Sequence, residues 1–283
     1  MKAVLSLALC AVLLGAAPQW SASSGTTPES VEAVSWQARR DAASGDLRKA
    51  DGEATSVLRQ SEALLKGQPL DSSPHLALAV GAAYEVQAQV LDAEGQKTAA
   101  IQLLQNAIRQ WAGTSIATRL QKNLNLLTLT GKHVPPLNVA HWVGSRKPQP
   151  LSTFRGKVVL LFFWADWCVD CKVQAPAVIN LATEFRSRGL VVVAPTMLYG
   201  YTPANDHATA AEETSFAERV FQRFYSAIPD VQVPLDSENF QRFGASTVPT
   251  LVVVDRRGII RLYHPGIIDE GTLKSALLPL LNS

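Results

Sequence analysis

The spacing of apolar residues divides the chain into a helical first half and a mixed second half. From about Val31 to Thr130, apolar residues recur every three or four positions, which predicts amphipathic helices. One such apolar face is formed by Val57, Leu58, Ser61, Leu64 and Leu65. Ser72 or Ser73 can cap the next helix, and Pro74 suits a first turn, where its missing N–H would have no partner. The pattern predicts an all-helical domain over residues 24–132.

Two of these helices flank Gly95 and resemble the helix pair of a tetratricopeptide repeat. The positions that carry this resemblance are Tyr84, Ala88, Leu91, Gly95, Ala100, Leu104 and Ala107. Small residues allow the two helices to approach closely, and large residues fill the gaps between them. An ordinary helical hairpin explains the spacing equally well. The domain is expected either to bind a partner protein or to serve as a structural cap or dimerisation arm.

The pattern changes at the segment Gly131 to Pro136, because its two prolines cannot continue a helix. Beyond it, Val158 to Trp164 and Leu190 to Ala194 are continuous apolar runs, typical of strands that are buried on both faces. The segment between them, Cys171 to Phe185, has a helical pattern. Strands that alternate with helices predict an α/β domain with a mixed sheet over residues 133–283.

The last part of the chain is predicted to contain a β-hairpin and a closing helix. Leu251 to Val254 and Ile259 to Tyr263 flank the turn sequence D-R-R-G, and Glu270 to Leu281 has a helical pattern. Before them, the residues between Met197 and Phe216 form an insertion. We expect this insertion to be a solvated loop near the catalytic edge, without a role of its own. The alternative is that it shapes the choice of partner through Tyr199, Tyr201, Asn205, Asp206 and His207.

The first residues have the features of an export signal. Lys2 precedes the apolar stretch Ala3 to Ala17, and small residues follow it. The stretch is too short to cross a bilayer, which needs about 20 apolar residues. We therefore predict a cleaved signal peptide over residues 1–23 and a periplasmic or otherwise exported mature protein, with an uncleaved anchor as the alternative. Lipid attachment at Cys10 is disfavoured because the large Leu9 precedes it.

Composition excludes several classes of protein. Of 283 residues, 47% are hydrophobic and 18% are charged, which excludes a mainly disordered chain. The 26 basic and 24 acidic residues give a net charge of +2 without long runs of one sign, so no nucleic-acid partner is expected. Three cysteines are too few for a disulfide-stapled scaffold or a four-cysteine metal site.

The candidate chemistry lies in the sequence F-W-A-D-W-C-V-D-C, from Phe163 to Cys171, which follows a predicted strand and begins a predicted helix. The unpaired N–H groups at a helix N-terminus favour a thiolate over a thiol. Cys168 is closer to the helix start, so we predict Cys168 as the nucleophile and Cys171 as the resolving thiol. A structural disulfide, or half of an intermolecular metal site, are the alternatives. No metal site within the chain is expected, because no second C-x-x-C or H-x-x-x-H motif is present.

Two motifs together resemble the thioredoxin superfamily. The segment Lys157 to Pro176 is similar to its active-site segment, and the lead-in Leu151 to Lys157 is similar to the exported TlpA and ResA branch of thiol-disulfide oxidoreductases. The second motif is Thr247-Val248-Pro249-Thr250. The resemblance implies a thioredoxin fold after the helical domain, with Pro249 in a cis peptide bond facing the two cysteines. It also implies that an extended substrate segment contacts Trp167, Thr247, Val248 and Pro249.

The same resemblance implies the reaction partners. Substrates would be proteins with cysteine pairs, such as apocytochromes during cytochrome c biogenesis or wrongly oxidised enzymes. The electron donor would be a membrane-embedded thiol reductant. Such an enzyme needs no cofactor besides its redox-active disulfide between Cys168 and Cys171.

Three departures from the family pattern concern proton transfer and redox direction. Phe162 stands where thioredoxins bury an acid, and Gln174 stands where many TlpA-like proteins have a glutamate. Neither side chain accepts a proton, so water or Asp170 is the expected substitute. Val169-Asp170 between the cysteines includes no proline or histidine. A carboxylate there disfavours the Cys168 thiolate and favours a reductase over an oxidase.

Two other functions compete with this interpretation. The first is a binding or scaffold protein without catalysis, in which the helical domain recruits a partner and the missing acid marks lost chemistry. The second is a peroxide-reducing enzyme of related fold. Such enzymes carry the pattern P-x-x-x-T-x-x-C, which is absent from this sequence.

Overall fold

The computed structural model describes residues 25–282. The predicted signal peptide over residues 1–23, and Cys10 within it, lie outside the described residues. The first half of the described chain is helical, as predicted. Its helices are α1 (Pro28–Ser44), α2 (Leu47–Leu65), α3 (Pro74–Ala93), α4 (Lys97–Gln110) and α5 (Ala117–Thr128). Within residues 25–282, none of the helices is long and apolar enough to cross a membrane.

Local sequence signals explain where α3 and α4 begin and end. Ser73 is the N-cap of α3, and its hydroxyl accepts a hydrogen bond from the N–H of Leu76. Pro74 occupies the first turn, so both capping predictions are confirmed. Gly95 has φ 78° in the turn that follows α3, a conformation that glycine adopts without strain. The predicted helical hairpin around this glycine is present, and its tetratricopeptide character stays a prediction.

A buried carboxylate, Glu85 of α3, lies inside the helical domain with 5% of its surface exposed. Arg39 approaches it within 2.9 Å, Arg119 within 3.0 Å and Lys122 within 3.4 Å. Burial by itself raises the pKa of Glu85, but the three positive charges outweigh burial and lower the pKa to about 2. The group therefore ties α1, α3 and α5 together as a charged network.

The second half of the chain is an α/β domain with a mixed sheet, as predicted. The strands are β1 (Trp142–Val143), β2 (Val158–Phe163), β3 (Leu190–Val193), β4 (Val233–Pro234), β5 (Thr250–Val254) and β6 (Ile260–Pro265). The helices are α6 (Val169–Phe185), α7 (Ala210–Phe224), α8 (Ser237–Phe243) and α9 (Glu270–Leu281). Short 3-10 turns occupy Leu70–Ser72, Leu151–Phe154 and Arg186–Arg188.

The central sheet has the strand order β3-β2-β5-β6. Strand β2 is parallel to β3, with Val158 opposite Leu190, and antiparallel to β5, with Leu161 opposite Val252. Strands β5 and β6 form the predicted antiparallel hairpin. Strands β1 and β4 pair separately. The thioredoxin-like arrangement that the sequence motifs imply is confirmed.

Strand β2 is buried on both faces because helices cover each side of the sheet. Leu160 and Phe162 face one core, to which α6, α7 and α9 contribute. Leu161 and Phe163 face a second core, to which α8 contributes. The carboxyl end of β2 leads through a short loop into α6, so this buried strand fixes the position of the two cysteines.

The helical domain is docked against the α/β domain. The N–H of Gly131 donates to the carbonyl oxygen of Ile260 at 2.8 Å, and the N–H of Ile260 donates to Lys132 at 2.9 Å. Gly244, which follows α8 with φ 61°, lies so close to α5 that an added Cβ would be 2.4 Å from the backbone nitrogen of Lys122. Only glycine fits this contact without displacement. The boundary between residues 132 and 133 stays a prediction, since backbone pairing continues across it.

Candidate functional site

The two cysteines lie at the start of α6, as predicted. Cys168 is the N-cap residue, and its Sγ accepts a hydrogen bond from the N–H of Cys171 at 2.9 Å. The two sulfurs are joined in a disulfide of 2.14 Å. Cys168 has 2% of its surface exposed and Cys171 has none, so an incoming group can reach only the first sulfur. This asymmetry supports the predicted order of nucleophile and resolving thiol.

The loop that contains Pro249 faces the cysteine pair. The Val248–Pro249 peptide bond is cis, as the family resemblance implies. The carbonyl oxygen of Val248 lies 3.5 Å from Cys168 Sγ. In the described part of the chain, neither the N–H nor the carbonyl of Val248 pairs with another backbone group. The loop therefore offers free backbone groups next to the reactive sulfur, which is what an extended peptide needs for strand-like pairing.

Trp167 forms one wall beside this loop and keeps 42% of its surface exposed. Its ring packs edge to face on Tyr199, with ring centroids 5.4 Å apart. The ring of Tyr199 also packs edge to face on that of Phe240 in α8, with ring centroids 6.5 Å apart. The four predicted substrate-contacting residues are thus brought close to Cys168, with Thr247 adjoining Val248 in the loop. Their contact with substrate stays a prediction.

The insertion after Met197 differs from the solvated loop that the sequence suggested. Helix α7 begins at Ala210, within the insertion, because Thr209 and Glu212 form a capping box. The preceding loop is held down by the buried carboxylate of Glu213, which accepts hydrogen bonds from the N–H groups of Tyr199 and Gly200. The loop thereby supplies Tyr199 to the wall of the site.

Asp166 is the site residue that sequence reasoning missed. It is 3% exposed, and its Oδ2 has no hydrogen-bond partner within residues 25–282. Burial, together with the nearby negative charge of Glu213, raises the pKa of Asp166 to about 6, although the backbone N–H of Trp167 and the charge of Lys172 oppose the shift. The available signal was its place between Ala165 and Trp167, in an otherwise apolar run directly after a buried strand.

The positions of the missing family acids hold no substitute base. Phe162 is fully buried, with its ring 5.7 Å from that of Tyr225. Gln174 is 2% exposed, and its Oε1 accepts a hydrogen bond from the N–H of Ile268. Asp170 is exposed in the first turn of α6. Of the two aspartates next to the cysteines, Asp166 is buried and Asp170 is exposed.

Among the described residues, no group of three or more histidine, cysteine, aspartate or glutamate side chains stands close enough to hold a metal ion. The groups that the structure places at the site are the sulfur pair, the backbone of the Pro249 loop and the carboxyl group of Asp166.

Comparison with known proteins gives matches that each cover about half of the chain. Residues 130–263 match the model of the AhpC/TSA family. Over 147 residues the chain is 26% identical to the thioredoxin-like protein YneN of Bacillus subtilis, a match that covers 52% of this chain and 78% of YneN. Over 128 residues it is 27% identical to the thiol-disulfide oxidoreductase ResA of Bacillus thuringiensis, covering 45% of this chain and 65% of that protein.

Two further matches each cover about half of the chain. The chain is 24% identical over 152 residues to the thiol:disulfide interchange protein DsbE of Pseudomonas aeruginosa, covering 54% of this chain and 75% of that one. A solved thiol-disulfide isomerase from Corynebacterium glutamicum superposes with a TM-score of 0.45 at 19% identity, covering 54% of this chain and 97% of the other. The strand order after the helical domain is thioredoxin-like, and residues 130–263 are similar to the AhpC/TSA family.

Proposed function

We propose that this protein is an exported thiol-disulfide oxidoreductase that reduces disulfides in other proteins. The observation that carries the proposal is the position of Cys168, at a helix N-cap and 3.5 Å from the carbonyl oxygen of Val248 in the cis-proline loop. The helix start stabilises a thiolate, and the loop presents unpaired backbone to an extended peptide. The names of the relatives ResA and DsbE support the same reaction class.

The reaction proceeds by two thiol-disulfide exchanges. In the reduced protein, the Cys168 thiolate attacks one sulfur of a substrate disulfide, and the second substrate sulfur leaves as a thiolate and takes up a proton. The Cys171 thiol then loses its proton and attacks Cys168 Sγ. The mixed disulfide breaks, and the remaining substrate sulfur leaves as a thiolate. Two electrons pass to the substrate, and the Cys168–Cys171 disulfide forms.

The proton of Cys171 needs an acceptor, and Asp166 fits this role better than Asp170. Asp166 lies two residues before Cys168, is shielded from solvent and has a carboxyl oxygen without a partner within residues 25–282. Its raised pKa of about 6 makes it a stronger base than an ordinary carboxylate while it stays ionised at neutral pH. We therefore assign to Asp166, acting through water, the proton-accepting role of the acid that is absent at Phe162.

Negative charge near the sulfurs favours reduction of the substrate. Asp166 and Asp170 both disfavour the Cys168 thiolate, and a less stabilised reduced form means a more reducing couple. The protein would then depend on a membrane-embedded thiol reductant and act on cysteine pairs in proteins such as apocytochromes. Equilibration with glutathione buffers measures this potential, and a value as oxidising as about −120 mV, as in DsbA, would contradict the reductase assignment.

Export rests on the sequence of residues 1–23 and places the protein in the periplasm after cleavage. Expression of the full chain followed by cell fractionation, with N-terminal sequencing of the mature protein, tests this part of the proposal. Recovery of the protein in the cytosolic fraction, with residues 1–23 still attached, would contradict it.

The catalytic proposal is tested by reduction of insulin with the full chain. Wild-type protein should accelerate reduction by dithiothreitol, and Cys168→Ser should lower the rate to the uncatalysed level because it removes the attacking thiolate. Cys171→Ala should instead accumulate a covalent mixed disulfide with the substrate, visible on a non-reducing gel. Equal rates for wild type and Cys168→Ser would favour the alternative, a scaffold protein whose helical domain recruits a partner.

A further inference from the structure

A groove beside the reactive sulfur has walls from both domains. On the α/β side it is lined by Trp167, Tyr199, Phe240 and Val248, and on the helical side by Ser115 and Thr118. Its volume is about 240 Å³. Val248 and Trp167 are two of the residues expected to contact substrate. The connection between α4 and α5, together with the first turn of α5, therefore borders the path along which an extended substrate would lie.

A second, larger pocket of about 530 Å³ continues from this groove toward the helical domain. The groove and the pocket share Ser115 and Ser246, and the pocket also reaches Thr247 next to the cis-proline. We call it the basic pocket, because its charged lining residues are Arg39, Arg119 and Lys122. Among the described residues that line it, none is acidic.

The positive charge of the basic pocket is only partly neutralised. Arg39, Arg119 and Lys122 share one carboxylate, Glu85, which lies behind them and is ionised above a pH of about 2. Asp71 lies at the rim of the pocket, where its carboxylate accepts hydrogen bonds from the N–H and the hydroxyl of Ser115. Three cations against Glu85 and Asp71 leave one excess positive charge beside the cavity.

We infer that the helical domain is part of the substrate site and that the basic pocket accepts an acidic side chain of the bound protein. The occupant is an extended segment that pairs with Val248, places its cysteine at Cys168 and directs an aspartate or glutamate toward Arg39, Arg119 and Lys122. Charge complementarity and continuity with the cis-proline loop carry this inference, which rests on the proposed function. The helical domain would then select substrates and leave the sulfur chemistry unchanged.

The docking between the domains makes such selection physically workable. Gly244 packs against the backbone of Lys122, so α8, which precedes the cis-proline loop, is in direct contact with the helix that carries two of the cations. A charge fixed relative to the reactive sulfur can discriminate between substrates, whereas a charge on a freely moving domain would average out. The basic pocket is therefore positioned by packing.

The test uses peptides of about 12 residues that differ only in charge. Each contains a disulfide-closed C-x-x-C, flanked on either side by aspartates, by serines or by lysines, and a second set has serine in place of cysteine. Binding of the serine set to the oxidised full chain is measured by fluorescence anisotropy at low and high salt. Turnover of the cysteine set is measured with the reduced protein.

Wild type should bind the aspartate peptide at least roughly 5-fold more tightly than the serine peptide, and high salt should weaken this preference. Arg39→Gln should reduce the preference roughly 3-fold or more, whereas Arg40→Gln, on the same helix but outside the pocket, should not change it. Ser246→Glu, compared with Ser246→Gln, adds opposing charge from the α/β side at an exposed position. It should also reduce the preference without disturbing the Glu85 network.

The outcomes separate the two proposals. Equal binding of all three serine-set peptides would overturn the basic pocket, while turnover that depends on Cys168 would leave the proposed function standing. Acid-selective binding without any turnover that depends on Cys168 would contradict the proposed function and retain the pocket as an acidic-peptide site. A preference that survives both Arg39→Gln and Ser246→Glu would also overturn the inference.

Discussion

Glu85 in the helical domain and Asp166 in the α/β domain are carboxyl groups with almost equal burial, 5% and 3% exposed, but opposite properties. Glu85 is surrounded by three cations, and its pKa falls to about 2. Asp166 has an unpartnered oxygen within the described chain and a carboxylate neighbour, and its pKa rises to about 6. Burial makes the pKa of a carboxyl group sensitive to its neighbours, and the charges of those neighbours decide whether the pKa falls or rises. One carboxylate stabilises the fold, and the other is available for proton transfer.

The largest expected effect comes from removing the charge of Glu85. Glu85→Gln should lower the free energy of unfolding at pH 7 by roughly 3 kcal/mol, because three clustered cations lose their counter-charge. The folded pKa lies below the unfolded value, so this stability is present above a pH of about 4.5 and is lost as the pH falls toward about 2. Urea unfolding of wild type and variant between these limits measures the difference.

The matched control is Glu62→Gln, an exposed glutamate on α2. It should change stability by less than about 0.5 kcal/mol. A Glu85→Gln variant as stable as this control at pH 7 would show that the ion pairs of Glu85 make no net contribution to the free energy of unfolding. The statement that Glu85 stabilises the fold, in contrast to Asp166, would then be wrong.

An intermediate effect is expected where the two regions meet. Gly244→Ala should destabilise the protein by roughly 2–3 kcal/mol, through the cost of a left-handed alanine and the collision with the backbone of Lys122. Gly113→Ala has a similar positive φ, and an added Cβ there meets nothing within 4 Å, so it isolates the first cost. Calorimetric melting of both variants gives the difference in their stability. Equal losses of stability would mean that the contact between Gly244 and Lys122 leaves room for a Cβ atom.

The smallest expected effect has the opposite sign. Asp166→Asn should raise the free energy of unfolding at pH 7–8 by roughly 1–2 kcal/mol, because an ionised carboxylate no longer has to be buried. The folded pKa lies above the unfolded one, so wild type loses this stability as pH rises from about 4 to about 6. The gain should therefore disappear near pH 4.

The chemical role of Asp166 needs a readout that a purely structural role would not move. In wild type, release of the mixed disulfide by Cys171 should accelerate as pH rises through about 6, where Asp166 ionises. Asp166→Asn should slow this step and shift its dependence to higher pH, as measured by single-turnover quench. An unchanged pH profile in a stabilised variant would remove Asp166 from the mechanism.

Much of the α/β domain could be predicted because its signals are local. A continuous apolar run identified strand β2, the turn D-R-R-G identified the hairpin, and the last helix has the predicted bounds Glu270–Leu281. The C-x-x-C spacing placed both cysteines at a helix start. For the cis bond at Pro249 the information came from family resemblance, since the residues alone do not specify it.

The features that could not be predicted depend on residues far apart in the chain. The raised pKa of Asp166 depends on Glu213, whose proximity follows from the path of the insertion and α7. Aspartates are seldom fully buried, so the sequence alone favoured an exposed side chain. The contact of Gly244 with Lys122 depends on how the two domains pack together. The spacing of apolar residues within each helix or strand does not predict this packing.

The backbone pairing of Gly131 and Lys132 with Ile260 has a practical consequence for anyone dividing this protein. A chain shortened to begin at residue 133 would lose both hydrogen bonds to Ile260 of β6. It would also lose Leu129, which belongs to the same buried core as Phe243. Loss of solubility in such a fragment would then reflect the unpaired backbone groups of β6. It would not show that the cysteine pair is redox-inactive. Cutting before Leu129 keeps this edge covered and is the fairer way to isolate the sulfur chemistry.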